Sequence, residues 1–250
     1  MIKLFAHRGG ALNWAENTLE AFESAAQAGA DGIECDIRLT ADDEPVIFHD
    51  LNLKRLTGVN LRVDRLTWKE ISNHKVLGRH KIPHMEDVFV FLQKHPGLIC
   101  YFDFQSPTAK LAEVAARALA KTSLVDRCYL LGFYSESADF LLWARSVAPR
   151  VRIALMPETP WKFLEKAQRV GAEAMAFGWD QSWWGRPLIR ALSGLVDLKS
   201  EVETARKAGL FVAGGIADTP GEMRWFLDFG VDGIWTDDVL LANKVLGRER

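Results

Sequence analysis

Asp31-Gly-Ile-Glu-Cys-Asp-Ile-Arg-Leu-Thr-Ala-Asp-Asp-Glu-Pro-Val-Ile-Phe-His-Asp50 decides how this chain folds. It reads as a strand, a tight turn at residues 41–45, and a second strand ending in His49-Asp50. Side chains alternate across a strand, so Glu34, Asp36 and Arg38 share one face while Ile33, Cys35 and Ile37 share the other. Burying two carboxylates and a guanidinium unpaired is costly, so the charged face must look into a polar cavity. Parallel strands need a crossover of about a dozen residues or more. The segment between Arg38 and Val46 is too short for one. The second strand must therefore fold back antiparallel.

Working outward, strand-like segments recur at Lys3–His7, Gly32–Arg38, Val46–His49, Ile99–Phe104, Cys128–Phe133, Arg152–Met156, Ala174–Gly178, Leu210–Gly214 and Gly233–Thr236. Helical spacing fills most of the intervals, first after Asn17-Thr18 and then at Glu86–Lys94, Thr108–Lys121, Glu136–Val147, Pro160–Val170, Ser200–Ala208, Pro220–Phe229 and Val239–Leu246. Several of these helices stop at a glycine (Gly29, Gly171, Gly209, Gly230). Alternating strands and helices predict a parallel α/β sheet. With the Val46–His49 strand set aside as a hairpin, the rest fit a single (β/α)8 TIM barrel. The expectation is one domain over residues 1–250, with the added antiparallel strand followed by a small insertion at about 51–84.

The composition excludes several function classes. The chain has 250 residues, 48% hydrophobic and 26% charged, with a formal net charge of −2. No basic block points to nucleic acid or an anionic membrane surface. No apolar run approaches the ~18 residues that span a bilayer. The first strand begins at Ile2 or Lys3, leaving no room for a leader, so a cytoplasmic location is expected. Cys35, Cys100 and Cys128 lack the spacing of a zinc site and read as buried free thiols, with a catalytic thiol the lesser alternative.

In a barrel of this kind the site lies at the C-terminal ends of the strands. His7 ends the first strand and is followed by Arg8-Gly9-Gly10, where glycine amides can cradle an anion and a guanidinium fork can clasp phosphate oxygens. His49 ends the hairpin strand and can reach the same cavity. Two histidines flanking carboxylates suit acid–base work near neutral pH. Glu34, Asp36 and Asp103 end adjacent strands and offer hard oxygen ligands for Mg²⁺ or Ca²⁺; a salt-bridge network with Arg8 and Arg38 is the plainer reading. His74, His80, His84 and His95 fall in loops or at helix ends and read as structural.

Taken together, Ala6-His7-Arg8-Gly9-Gly10, Glu16-Asn17-Thr18, Glu34-x-Asp36 and Val46-x-x-His49-Asp50 resemble the glycerophosphodiester phosphodiesterase family. The resemblance continues through Arg55-x-Thr57-Gly58, Ile82-Pro83-x-Met85-Glu86-Asp87 and Gly230-Val231-Asp232-Gly233-Ile234-x-Thr236-Asp237, and the small form resembles the cytosolic bacterial members. It implies a TIM barrel, one divalent cation, and hydrolysis of a small glycerophosphodiester substrate to sn-glycerol 3-phosphate and an alcohol. It makes His7 and His49 the acid–base pair, Glu34 and Asp36 metal ligands with Asp103 the third carboxylate, and Arg8 a phosphate contact.

The chain departs from the pattern in two places. Asp103-Phe104-Gln105 stands where the family has Glu-x-Lys, so Gln105 replaces a lysine expected to face the phosphate. Losing one such donor costs ~2–4 kcal/mol of transition-state stabilisation. Arg38, on the same face, is the candidate to compensate. Gly215-Ile216-Ala217-Asp218 replaces the family's Trp-Thr-Val-Asn, which opens the rim. Phe133, Trp179, Trp183, Trp184 and Trp235 are candidates for an apolar wall, with the Trp183-Trp184-Gly185-Arg186 turn as a lid. Two other readings follow from the departures: a lysophospholipase D-like enzyme, and a barrel that binds phosphodiesters without cleaving them.

Overall fold

The computed structural model of the chain describes residues 1–179 and 185–248. In chain order the elements are β1 (Lys3–Ala6), α1 (Leu19–Gln27), β2 (Gly32–Leu39), β3 (Pro45–Ile47), α2 (Lys54–Thr57), α3 (Trp68–Ile71), β4 (Lys75–Val76), β5 (His80–Lys81) and α4 (Met85–Lys94). They continue as β6 (Ile99–Phe104), α5 (Ala109–Ala120), β7 (Cys128–Phe133), α6 (Tyr134–Val147), β8 (Arg152–Met156), α7 (Phe163–Val170) and β9 (Ala174–Gly178). The last are α8 (Gly185–Ser193), α9 (Leu198–Lys207), β10 (Phe211–Gly215), α10 (Pro220–Asp228), β11 (Gly233–Thr236) and α11 (Val239–Val245).

Eight strands are parallel and close into a barrel in the order β1-β11-β10-β9-β8-β7-β6-β2, with β2 returning to β1. β3 lies outside this ring, antiparallel to β2, with Ile37 opposite Ile47 and Arg38 opposite Val46. The short connection anticipated this arrangement. The hairpin strand is shorter than expected, however. The Phe48 amide still donates to the Asp36 carbonyl (3.0 Å), and the chain then leaves the sheet. His49 therefore sits on a loop rather than on a strand end.

Three apolar clusters hold the architecture together. Phe5, Tyr101, Tyr129, Leu131, Ala154, Ala174, Ala213 and Trp235 fill the barrel interior, with the Tyr101 and Tyr129 rings stacked 4.8 Å apart. A larger cluster lies between the barrel and its helices. It includes Cys35, Cys100 and Cys128, all buried free thiols whose pKa burial helps to raise. The third belongs to the insertion: Val46, Phe48, Leu53, Leu56, Val63, Ile71, Val76 and Ile82 form a small core beside β3. The insertion also contains the β4–β5 hairpin, which two-residue strands make illegible to periodicity.

Helix starts follow local rules. The Thr18, Thr108 and Thr219 hydroxyls accept backbone amides of the first turns of α1, α5 and α10, and Pro220 opens α10. The four predicted helix-stop glycines all adopt positive φ. Three helices were not expected, the short α2 and α3 of the insertion and α8. α8 begins at Gly185, so Gly185 and Arg186 belong to a helix and not to a turn; Trp183 and Trp184 lie outside the described residues.

Candidate active site

The sequence His7-Arg8-Gly9-Gly10 makes a sharp left-handed turn at the end of β1. Arg8, Gly9 and Gly10 have φ of 51°, 82° and 93°, a conformation costly for the arginine and natural for the glycines. A Cβ on Gly9 would come within 2.8 Å of Phe22, and one on Gly10 within 2.9 Å of Trp14. The turn does not present an anion cradle of the kind expected. The Gly10 amide donates to the His7 carbonyl, and the Arg8 amide donates to Glu34 Oε2 (2.8 Å). What the turn achieves is placement: His7 and Arg8 both line one cavity at the barrel mouth.

That cavity has a volume of about 450 Å³. One side carries His7, Arg8, Glu34, Asp103, Gln105 and His49, and the other Phe133, Met156, Ala176, Trp179, Leu188 and Ile189, with Ile216 and Trp235 also against it. Each histidine is tied down by a carboxylate. His7 Nδ1 lies 2.7 Å from Asp237 Oδ1, and His49 Nδ1 lies 2.8 Å from Asp50 Oδ1. An ionised carboxylate can only accept, which assigns the proton to Nδ1 in both rings and leaves each Nε2 unprotonated in the neutral imidazole. Asp237 is in turn held by Asp218, whose Oδ1 accepts from the Asp237 amide (2.8 Å) and the Thr236 hydroxyl (3.2 Å). The segment that departs from the resemblance therefore supplies a support for His7.

Glu34, Asp36 and Asp103 converge on the charged side, with one oxygen from each within 4.8 Å of the others. All three are buried. Burial, reinforced by Asp36 and Asp103, drives the Glu34 carboxyl well above the usual carboxylate range, and burial with Asp36 does the same to Asp103. Asp36 accepts from Asn17 Nδ2 (2.6 Å) and from Gln105 Nε2 (2.8 Å). Arg8 Nε is 3.2 Å from Asp36 Oδ2, an ion pair without hydrogen-bond alignment. Glu34 Oε1 and Asp103 Oδ1 are buried with no hydrogen-bond partner among the described residues. Buried polar oxygens are seldom left this way, and hard, all-carboxylate donors are what Mg²⁺ and Ca²⁺ take. The trio is compatible with a divalent cation.

Two expectations change at this point. Gln105 lines the cavity, but its amide nitrogen donates to two carboxylates, Asp36 Oδ1 and Asp103 Oδ2 (both 2.8 Å). Arg38, the candidate to compensate, donates to the His49 carbonyl (2.7 Å) and to Ser106 Oγ (2.8 Å), so it secures the loop that carries His49. Phe133, Trp179 and Trp235 do line the cavity. Three of the remaining histidines pair with carboxylates elsewhere: His80 with Glu20, His84 with Glu44 and His95 with Glu23.

The sequence model of the glycerophosphoryl diester phosphodiesterase family matches residues 7–241. The chain belongs to this family. An uncharacterised Bacillus subtilis protein is 30% identical over the full length of both chains. A glycerophosphodiester phosphodiesterase of Caldanaerobacter subterraneus is 27% identical, covering 94% of this chain and 93% of the relative. In fold, the chain resembles an Oleispira antarctica phosphodiesterase solved in complex with the product sn-glycerol-3-phosphate, with a TM-score of 0.79, 18% identity, and 98% and 96% of the two chains covered.

Members of this phosphodiesterase family can thus be read against the site just described. Several contributors escaped the sequence reading. Asp50 and Asp237 were visible as members of the resembling motifs but were given no role, since nothing in spacing says which ring a carboxylate will meet. Met156 ends β8, where the strand-end rule could have found it, whereas Ala176 lies in the middle of β9. Leu188 and Ile189 come from the unexpected α8 and had no such signal.

Proposed function

We propose that this chain hydrolyses glycerophosphodiesters to sn-glycerol 3-phosphate and an alcohol, using His7 and His49 as an acid–base pair beside a divalent cation, Mg²⁺ or Ca²⁺. The observation that carries this reading is that two carboxylate-anchored imidazoles share one cavity with Glu34 and Asp103, two members of a buried carboxylate trio. Glu34, Asp36 and Asp103 would hold the cation, which when bound supplies charge neutralisation and polarises a phosphoryl oxygen.

Arg8 holds the phosphate at the mouth of β1. One imidazole takes a proton from the attacking hydroxyl as the new P–O bond forms; the other gives a proton to the alkoxide as the old P–O bond breaks. Asp237 and Asp50 keep the two rings in the tautomer this requires. A cyclic phosphate product detected by phosphorus NMR would mean that a substrate hydroxyl attacks; its absence under single-turnover conditions supports water. The deciding experiment measures glycerol 3-phosphate release from glycerophosphocholine and glycerophosphoethanolamine with Mg²⁺, with Ca²⁺ and with EDTA. Metal-dependent release that disappears in His49→Ala is the expected result. Release that persists in EDTA overturns the metal assignment.

A second reading is favoured by the apolar side of the cavity. Met156, Leu188, Ile189 and Ile216 offer nothing to a charged headgroup and would bury the start of an acyl chain. A lysophospholipid would then be the better substrate. A panel of lysolipids and soluble headgroup diesters tests this: equal or faster turnover of the soluble diesters removes the reading.

A further inference from the structure

We propose that Arg55, brought to the barrel mouth by the insertion, is a positioning residue for His49 and links it through Asp50, Arg55 and Glu16 to Arg8. The proposal rests on the assignment of His49 as an acid–base group. The motif Arg55-x-Thr57-Gly58 and the motif Glu16-Asn17-Thr18 have otherwise no task for their charged members.

The geometry is two forks on one guanidinium. Arg55 Nη1 and Nη2 donate to Glu16 Oε2 (2.8 Å) and Oε1 (2.7 Å), while Nε and Nη2 donate to Asp50 Oδ2 (2.7 Å) and Oδ1 (3.0 Å). Asp50 Oδ1 is also the partner of His49 Nδ1, and Glu16 Oε1 accepts from Arg8 Nη1 (3.3 Å). Planar two-point pairing fixes orientation as well as distance. His49 needs that help because it lies on a loop. Arg38 holds its backbone carbonyl, but among the described residues the ring's hydrogen bond is to Asp50, and Asp50 draws two of its three side-chain hydrogen bonds from Arg55. Burial opposes ionisation of Asp50, yet the hydrogen bonds from Arg55 and His49 prevail and hold its carboxyl down at about 2.

Anchoring the insertion is the competing role, and the structure makes it the weaker one. α2 is already held by Leu53 and Leu56 in the insertion's own core and by Gly58, whose left-handed conformation closes the turn onto the Lys54 carbonyl. The Arg55 side chain itself is 46% exposed, whereas those of Glu16 and Asp50 are 12% and 23% exposed. Its removal leaves no apolar cavity.

The test uses the full chain and the glycerophosphodiester that the wild type cleaves fastest, with Arg55→Met, Arg55→Lys, Asp50→Asn and the Asp50→Asn/Arg55→Met double variant. Loss of a residue that orients a reacting ring costs ~10–100-fold, so Arg55→Met should lose that much in kcat. KM should stay within about twofold, and Tm should hold. Guanidinium ion added to Arg55→Met should restore part of kcat, and the double variant should be no slower than Asp50→Asn, because residues acting as one unit are not additive. An unaltered kcat, a loss that tracks a lowered Tm, or additive losses would overturn the proposal. A readout independent of turnover is the low-field Nδ1–H proton of His49 in ¹⁵N-histidine-labelled, metal-free protein. It should sharpen in the wild type and vanish in Arg55→Met; its persistence in that variant also overturns the proposal. If the wild type cleaves no diester, the functional reading fails, and this NMR comparison still decides the role of Arg55.

Discussion

The half of the barrel mouth built by β1, β2, β6 and the loop after β3 carries His7, Arg8, Glu34, Asp103 and His49; the half built by β7, β8, β9 and α8 carries Phe133, Met156, Ala176, Leu188 and Ile189. On the first side the polar groups form a network, Asn17 and Gln105 with Asp36, Asp237 with His7, Asp50 with His49, that leaves Glu34 Oε1 and Asp103 Oδ1 without a hydrogen-bond partner among the described residues. On the second the lining is aliphatic and aromatic, with Glu158 at the edge already committed to the Ser135 amide and hydroxyl. Fixed charge costs no reorganisation when a reaction develops new charge, so the networked side suits bond breaking. An apolar wall discriminates weakly between isosteres and suits an acyl chain, a part of the substrate that varies without reacting. On the proposed function the chemistry and the substrate range belong to different halves and should be separable by mutation.

The largest effect should come from the charged half. His49→Ala, and equally His7→Ala, should lower kcat by ~10²–10⁴-fold, the usual worth of a positioned acid or base, while circular dichroism and Tm change little for the half-exposed His49. A comparable loss from any single variant on the apolar side would break the division.

Next comes the metal. Burial and neighbouring carboxylates push the Glu34 and Asp103 carboxyls upward, and a cation that binds only the folded state should stabilise it by ~2.7 kcal/mol at a hundredfold excess over Kd. For a chain of this length that corresponds to a rise in Tm of ~5–10 °C. Calorimetry with Mg²⁺ or Ca²⁺ against EDTA should show this rise in the wild type and not in Glu34→Gln. An equal rise in that variant would place the cation elsewhere.

On the apolar side the expected effects are smaller and fall on a different constant. Leu188→Asp should raise KM for acyl-bearing substrates about tenfold, in keeping with ~1–3 kcal/mol for one lost apolar contact, and leave kcat for soluble diesters within about twofold. Parallel losses for both substrates would show that the wall supports the reacting side after all.

The smallest effect is a pH dependence. Asp50 has a folded pKa of about 2, below its ordinary value of 3.8, so its stabilising contribution is complete above about 4 and is lost as pH falls toward 2. Discounted for solvent screening, that contribution is ~1 kcal/mol. In urea unfolding, the stability gap between wild type and Asp50→Asn should narrow by this amount from pH 6 to pH 2. A gap that widens on acidification would mean that Arg55 does not hold Asp50 ionised.

The fold was legible because its signals are local. A short link between two strands forces an antiparallel return, and eight strands separated by helices close into a barrel. The same period-two alternation correctly put Glu34 and Asp36 on one face. Where those local signals gave out, so did the reading. α8, the β4–β5 hairpin and the loop position of His49 depend on packing against distant segments, and residue spacing carries no trace of that.

By itself, then, the sequence determined the barrel, the residue types at its mouth, and the family to which the chain belongs. Tertiary structure decided who faces whom. Hydrogen bonds between residues 230 positions apart, as from His7 to Asp237, are set by the closure of β1 against β11. The same closure turned Gln105 toward two carboxylates, set Arg38 under the His49 loop, and gave Arg55 two partners from different parts of the chain. The physical reason is that charge and hydrogen-bond geometry act through space over a few ångströms, while the order of residues along the chain fixes only which groups are available to meet.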